Sequence, residues 1–292
     1  MTLSTWTELL TSPFMIRSLL VAICVGGSAP VIGTYLIQRR LALMGDGIGH
    51  VALTGVALGW LVGNAMNIAP DQLAVPGAII TSIIGAIFIE ELREKSHTSR
   101  DIALALLFYG GIATGVLIIG LAGGTTANLT SYLFGSLASV SWQDVVIAAL
   151  LALLIAAVGL GLYPALFSIT YDDDFARSTG LPVGRLNYLI AVTAALTVAT
   201  AMRVVGVLLV SAIMIVPVVI AQLYARSFYS TMLFGMFNGT ILCVSGLIIS
   251  YFHPVSPGAT IVVTAIVVLI IGTVIAQLMQ RNTLHKSSTN HA

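Results

Sequence analysis

Charge is scarce in this 292-residue chain: 12 Lys and Arg and 11 Asp and Glu make up 8% of it, and the formal net charge is +1. Soluble domains carry roughly 25% charged residues, so a water-soluble globule, a disordered chain and a nucleic-acid binder all fall at this first step. Cysteine is nearly absent too. Cys24 and Cys243 both lie inside apolar runs with no CxxC spacing, which excludes a disulfide framework and a thiolate zinc site. No G-x-x-x-x-G-K-[ST] occurs, so the usual phosphate loop is missing. The N-terminal stretch MTLSTWTELLTSPFMIRSLL lacks the basic region and short apolar core of a cleaved signal, and its apolar part reads as a permanent span.

What is present is grease. Hydrophobic residues make up 58% of the chain and its mean hydropathy is +1.04. A helix crosses the bilayer core with about 20 apolar residues. Segments near residues 18–37, 44–62, 73–89, 102–121, 145–167, 186–201, 204–223, 232–252 and 259–278 meet or approach that length. The expectation is an all-α, polytopic membrane bundle of eight to nine spans, forming a single domain over residues 1–292 with a flexible tail at about 281–292. The segments 186–201 and 204–223 are short, and NLTSYLFGSLASV (128–140) reads as a surface helix or a partial insertion.

Lys and Arg collect in the loops that follow alternate spans. Arg39, Arg40, Arg93, Lys95, Arg100, Arg177, Arg185, Arg226, Arg281 and Lys286 are ten of the 12 basic residues, which assigns those loops to the cytoplasm. Arg17 and Arg203 fall on the other side, Arg203 between two short spans. Glu90 and Glu91 open a charged inner loop and read as solvated. The glycine pairs Gly45/Gly49 and Gly55/Gly59 permit close helix packing, either within the chain or at a dimer seam.

Ionisable side chains at bilayer depth cost at least ~2.5–3.5 kcal/mol on insertion scales, so each needs a partner or a function. Asp46 and His50, in MGDGIGHVAL, stand four apart and share one helix face. A carboxylate and an imidazole suit a borderline divalent cation such as Zn²⁺ or Mn²⁺; the plain alternative is that they bond only to each other. Two ligands are too few for a closed zinc site, and a two-fold dimer would supply four. His253, in YFHPVSPG, is either a metal entrance or an interfacial histidine ending a helix before Pro254. His285 and His291 belong to the tail. Pro217 falls inside an apolar run and is expected to bend or break its helix. In YDDDFARSTGLPVGR, Asp172–Asp174 cap a short helix, Gly180 stops it and Pro182 prevents its continuation.

Three stretches taken together carry a resemblance. RRLALMGDGIGHVALTGVALG, then SYLFGSLASVS with DDDFARSTGLP, then VGVLLVSAIMIVPVVIAQLYARSF with YFHPVSPGATIVV, occur in the order seen in the permease subunit of metal-importing ABC transporters. The chain resembles this zinc/manganese/iron uptake family from about Arg39 to Val268. The resemblance implies a type II importer-like permease in the bacterial plasma membrane, working as a homodimer in the lipid bilayer. It implies two copies of a separate ATP-binding subunit inside, an extracytoplasmic metal-binding protein, and no enzyme activity or permanently bound cofactor in this chain. Asp46 and His50 match the family's D-x-x-x-H position on the metal path. Asp174, Ala176 and Gly180 fall in its ATPase-docking loop, about 170–186. Gly47, Ile48 and Gly49 depart from the Ala or Ser more usual there. The cargo this implies is a divalent metal, zinc first on ligand softness and manganese second. Permeases for iron chelates or a vitamin, and ion-gradient-driven secondary transporters, remain as alternatives.

Overall fold

The computed structural model describes residues 11–95, 100–123, 126–136, 140–202, 204–253 and 255–289; Arg203 and His291 lie outside them. All regular structure among these residues is helical. The helices are α1 (Pro13–Gln38), α2 (Met44–Ala65), α3 (Pro70–Lys95), α4 (Arg100–Leu121), α5 (Thr126–Phe134), α6 (Trp142–Gly161), α7 (Tyr163–Tyr171), α8 (Asp173–Ser178), α9 (Val183–Ala201), α10 (Val210–Gln222), α11 (Phe228–Phe252) and α12 (Pro257–Thr289). Eight of them are long and apolar enough to cross a membrane.

The segment 204–223, expected as a span, is not one of the eight. Gly206 takes φ +89°, a 3₁₀ turn occupies Val207–Leu209, and only 13 residues of α10 follow. At 1.5 Å per residue α10 covers about 20 Å, short of a ~30 Å core. Pro217 lies within α10 without breaking it, its carbonyl accepting from the Asn238 amide at 3.3 Å. Of the stretch at 128–140, residues 128–134 belong to the short helix α5, and 137–139 lie outside the described residues. After α5, Gly135 (φ +77°) packs on the turn before α10: a Cβ there would lie 2.1 Å from the Val204 carbonyl oxygen, and one on Gly206 would lie 2.3 Å from that of Leu133. Only bare backbone fits two turns this close. The expected span 145–167 ends earlier, at Gly161, because α7 starts afresh with Pro164 in its first turn.

Burial sorts the spans. In the most apolar window of α1, 72% of residues are buried, against 17% in α4 and in α12; α1 is the axis and the other two are peripheral. Tyr35 on α1 donates to the Gly159 carbonyl of α6 at 2.6 Å, and Gly26 meets Gly239 of α11 backbone to backbone. The four glycines of the two α2 pairs pack inside the chain: Gly55 faces Gly77 of α3, Gly59 faces Leu73, Gly49 approaches Val207 and Gly45 approaches Met214. The small-residue seam is therefore intramolecular. Thr54 donates to Gly111 of α4 at 2.8 Å and Thr81 of α3 to Val51 at 3.2 Å, inter-helix bonds that in lipid are worth about 0.6 kcal/mol each.

The charged loops meet at one end of the bundle. Gln38, Tyr171, Gln222 and Arg226 line one cavity there, and Arg39 pairs with Asp173. Although too short to span, α10 thus returns the chain to the end where α1 finishes, and the alternation of the basic loops survives. Glu90 and Glu91 are not a solvated pair: Glu90 is buried, and Glu91 accepts a hydrogen bond from the Tyr188 hydroxyl.

Candidate functional site

The first turns of α2 carry the site. Helical spacing puts Asp46 and His50 on one face, with Asp46 Oδ2 3.8 Å from His50 Nε2. That separation exceeds hydrogen-bond length, so the two groups converge without satisfying each other. His50 is 2% exposed, and its Nδ1 is buried with no hydrogen-bond partner. Leaving such a nitrogen unpaired costs about 1–3 kcal/mol, so the imidazole is held here at a cost to stability. Asp46 accepts one bond at 3.3 Å, from Ser211 of α10. The interruption at Gly206 permits this, since it lets α10 begin deep in the bundle beside α2.

The site lies well inside the bundle. A Cβ on Gly111, near the middle of the 22-residue α4, would sit 2.7 Å from the His50 carbonyl carbon. Phe108, one turn earlier, presents its ring edge-on to the imidazole with centroids 4.1 Å apart. A cavity of about 280 Å³ lined by Leu43, Asp46, Gly47, Leu104, Ala105, Phe108 and Tyr109 opens beside Asp46, whose side chain is 26% exposed. Gly49 brings Val207 close to α2, a Cβ there lying 3.1 Å from the Val207 carbonyl oxygen, whereas a Cβ on Gly47 would meet Leu104 only at an ordinary 3.8 Å. No group of three or more His, Cys, Asp or Glu side chains converges among the described residues. Within one chain the groups that could contact a cation here are a carboxylate, an imidazole and a nearby hydroxyl.

The other expected residues lie apart from this pair. Asp172 caps α8, its carboxylate accepting from the amides of Asp174 and Phe175 at 3.0 and 2.9 Å. Gly180, at φ +83°, closes the helix: its amide donates to Arg177 and that of Leu181 to Ala176, the Schellman pattern. Ala176 is fully buried, while Phe175 (60%) and Tyr171 (77%) are exposed; Ala176 seats the helix and its neighbours face outward. His253 ends α11, exposed, with its carbonyl accepting from Val255. It stands at the far end of α11 from the charged loops. Nothing in the sequence singles out Ser211, Phe108 or Phe175. The unbroken hydropathy of 204–223 hid Ser211, and the others are ordinary residues until folding places them.

A polytopic helix bundle with a carboxylate and a buried imidazole converging in the first turns of a span has the build of a membrane permease. The chain belongs to the ABC 3 transport family, whose family model matches residues 11–276. It is 33% identical over 269 residues to the manganese import system permease protein ScaB of Streptococcus parasanguinis, covering 92% of this chain and 93% of that one. It is 31% identical to the manganese transport system membrane protein MntC of Halalkalibacterium halodurans, covering 88% and 86%. Its fold is similar to that of PsaBC from Streptococcus pneumoniae, solved in complex with Fab, with TM-score 0.81, 30% identity and coverage of 93% and 95%. The chain is thus a permease subunit of an ABC transporter rather than an enzyme, and a multi-pass protein of the bacterial plasma membrane.

Proposed function

We propose that this permease imports a bare divalent metal ion, passing it across Asp46 and His50 by alternating access driven by a separate ATP-binding subunit. The observation that carries the reading is His50 Nε2 and the Asp46 carboxylate facing each other at 3.8 Å, converged on one helix face without closing a hydrogen bond. A cation supplies what both groups lack. A sphere left incomplete favours release, whereas a closed four-ligand cage would retain the ion.

Manganese is the first choice of cargo and zinc the second. Softness alone favoured zinc, but carboxylate and hydroxyl oxygens with a single imidazole also suit Mn²⁺, and the similar permeases are named for manganese import. The permease works as a homodimer. Asp46 borders a cavity that opens past Leu43, Leu104 and Tyr109 on the peripheral α4, and a carboxylate facing lipid there costs at least ~2.5–3.5 kcal/mol. A second copy across a two-fold axis covers the opening and brings two Asp and two His to one path. The charged end faces the cytoplasm, where α8, through Asp174, Ala176 and Gly180, receives the ATPase. An extracytoplasmic metal-binding protein delivers the ion at the other end, with exposed His253 as a first contact.

Reconstitution tests this. Proteoliposomes holding the permease and its ATPase should accumulate Mn²⁺, or Zn²⁺ in competition, only with ATP and the binding protein. Accumulation on an ion gradient without the ATPase would overturn the reading in favour of a secondary transporter. Transport restricted to chelated iron would favour the chelate permease.

A further inference from the structure

We propose that Arg39 is a positioning residue that ties the α8 docking helix to the Asp46/His50 site, so that movement of α8 reaches the metal path through the α1–α2 turn. The inference rests on the reading of the chain as an ATP-driven metal permease and identifies the link that this reading requires.

Arg39 is the C-cap of α1, and its side chain is only 6% exposed. A guanidinium so nearly buried must be held by acceptors. Acceptors come from different elements: Nη1 donates to Asn187 Oδ1 on α9 at 2.7 Å, and Nη2 lies 3.5 Å from Asp173 Oδ1, the first residue of α8. Asp173 Oδ1 has no hydrogen-bond partner besides this ion pair. The planar fork of arginine serves both acceptors at once, which the point charge of lysine does not.

The backbone on the other side of Arg39 is equally constrained. Arg40 takes φ +58° and its amide donates to Ile37 at 3.0 Å, while the amide of Leu41 donates to Leu36 at 2.7 Å. This is a Schellman motif carrying arginine where glycine is usual. Leu41 and Met44 are buried, and the Met44 amide donates to Leu41, starting α2 directly. Asp46 stands in the first turn of that helix. From the docking helix to the metal ligand the path is one ion pair, one hydrogen-bonded reversal and one turn of helix.

The experiment uses the permease reconstituted with its ATPase and binding protein, and reads Mn²⁺ transported per ATP hydrolysed. Arg39→Gln should leave co-purification with the ATPase and the hydrolysis rate within twofold, and lower the metal-to-ATP ratio at least tenfold. Arg39→Lys, Asp173→Asn and Asn187→Leu should each give an intermediate ratio. The exchange of Arg39→Asp with Asp173→Arg should restore at least half of it. A wild-type ratio in Arg39→Gln overturns the proposal. So does loss of ATPase binding in step with transport in every variant, which is a docking or folding role. Should Arg39→Gln not accumulate, unchanged ratios in Asp173→Asn and Asn187→Leu overturn it instead. If the wild-type complex moves no metal with ATP, the underlying functional reading fails, and that result is distinct from all of these.

Discussion

Asp46 and His50 approach to 3.8 Å between Oδ2 and Nε2 and stop short of bonding, while the second imidazole nitrogen has no partner at all. A merely structural pair would close that gap. On the proposed reading, replacing either residue is expected to abolish transport and spare the fold. Asp46→Asn and His50→Ala should each lower the initial rate of radioactive manganese uptake at least tenfold, with thermal unfolding in detergent little changed, since the two side chains are not closed into a hydrogen bond with each other. A large fall in melting temperature with uptake preserved would assign the pair to structure.

Ser211 orients the Asp46 carboxylate from α10 at 3.3 Å. Groups that orient a metal ligand typically contribute 10–100-fold in affinity or activity. Ser211→Ala should thus raise the metal concentration for half-maximal uptake roughly tenfold, with less change in the maximal rate. Concentration-dependent uptake checks this.

Gly55 and Gly77 allow α2 and α3 to touch. A Cβ on Gly55 would lie 2.4 Å from the Gly77 carbonyl oxygen and 2.0 Å from Thr81 Oγ1. Gly55→Val should cost about 1–3 kcal/mol or more by overpacking and lower both yield and unfolding temperature. Gly120→Ala, which meets nothing within 4 Å, should leave both unchanged.

α8 is a six-residue helix whose two ends are fixed by Asp172 and Gly180. Asp172→Ala should cost about 1 kcal/mol of local helix stability. Gly180→Val should cost about 1–2 kcal/mol through its left-handed backbone. Both should weaken co-purification with the ATP-binding subunit while metal binding at Asp46 and His50, read by calorimetry, is retained.

Tyr109 is 70% exposed beside the Asp46 cavity. If a second copy covers that opening, Tyr109→Cys should form a disulfide-linked dimer in membranes under mild oxidant. Val263→Cys on α12, also exposed, should not. Equal cross-linking at both positions would remove α4 from the interface.

The sequence by itself determined membrane residence, the number of long helices within one, and the face that Asp46 and His50 share. Those properties follow from composition, run length and a spacing of four, all local along the chain. The caps of α8 were legible for the same reason: Asp172 and Gly180 act on amides and carbonyls within a few residues. Tertiary structure alone decided that 204–223 is too short to span, because hydropathy records how apolar a stretch is and not where Gly206 turns it. It alone brought Ser211 to Asp46 across 165 positions and Arg39 to Asn187 across 148. It also buried Glu90 at the end of an apparently solvated loop. Such contacts depend on which helices become neighbours, and that is set by backbone approach at residues such as Gly55, Gly77, Gly26 and Gly239 rather than by any pattern in the residues that finally meet.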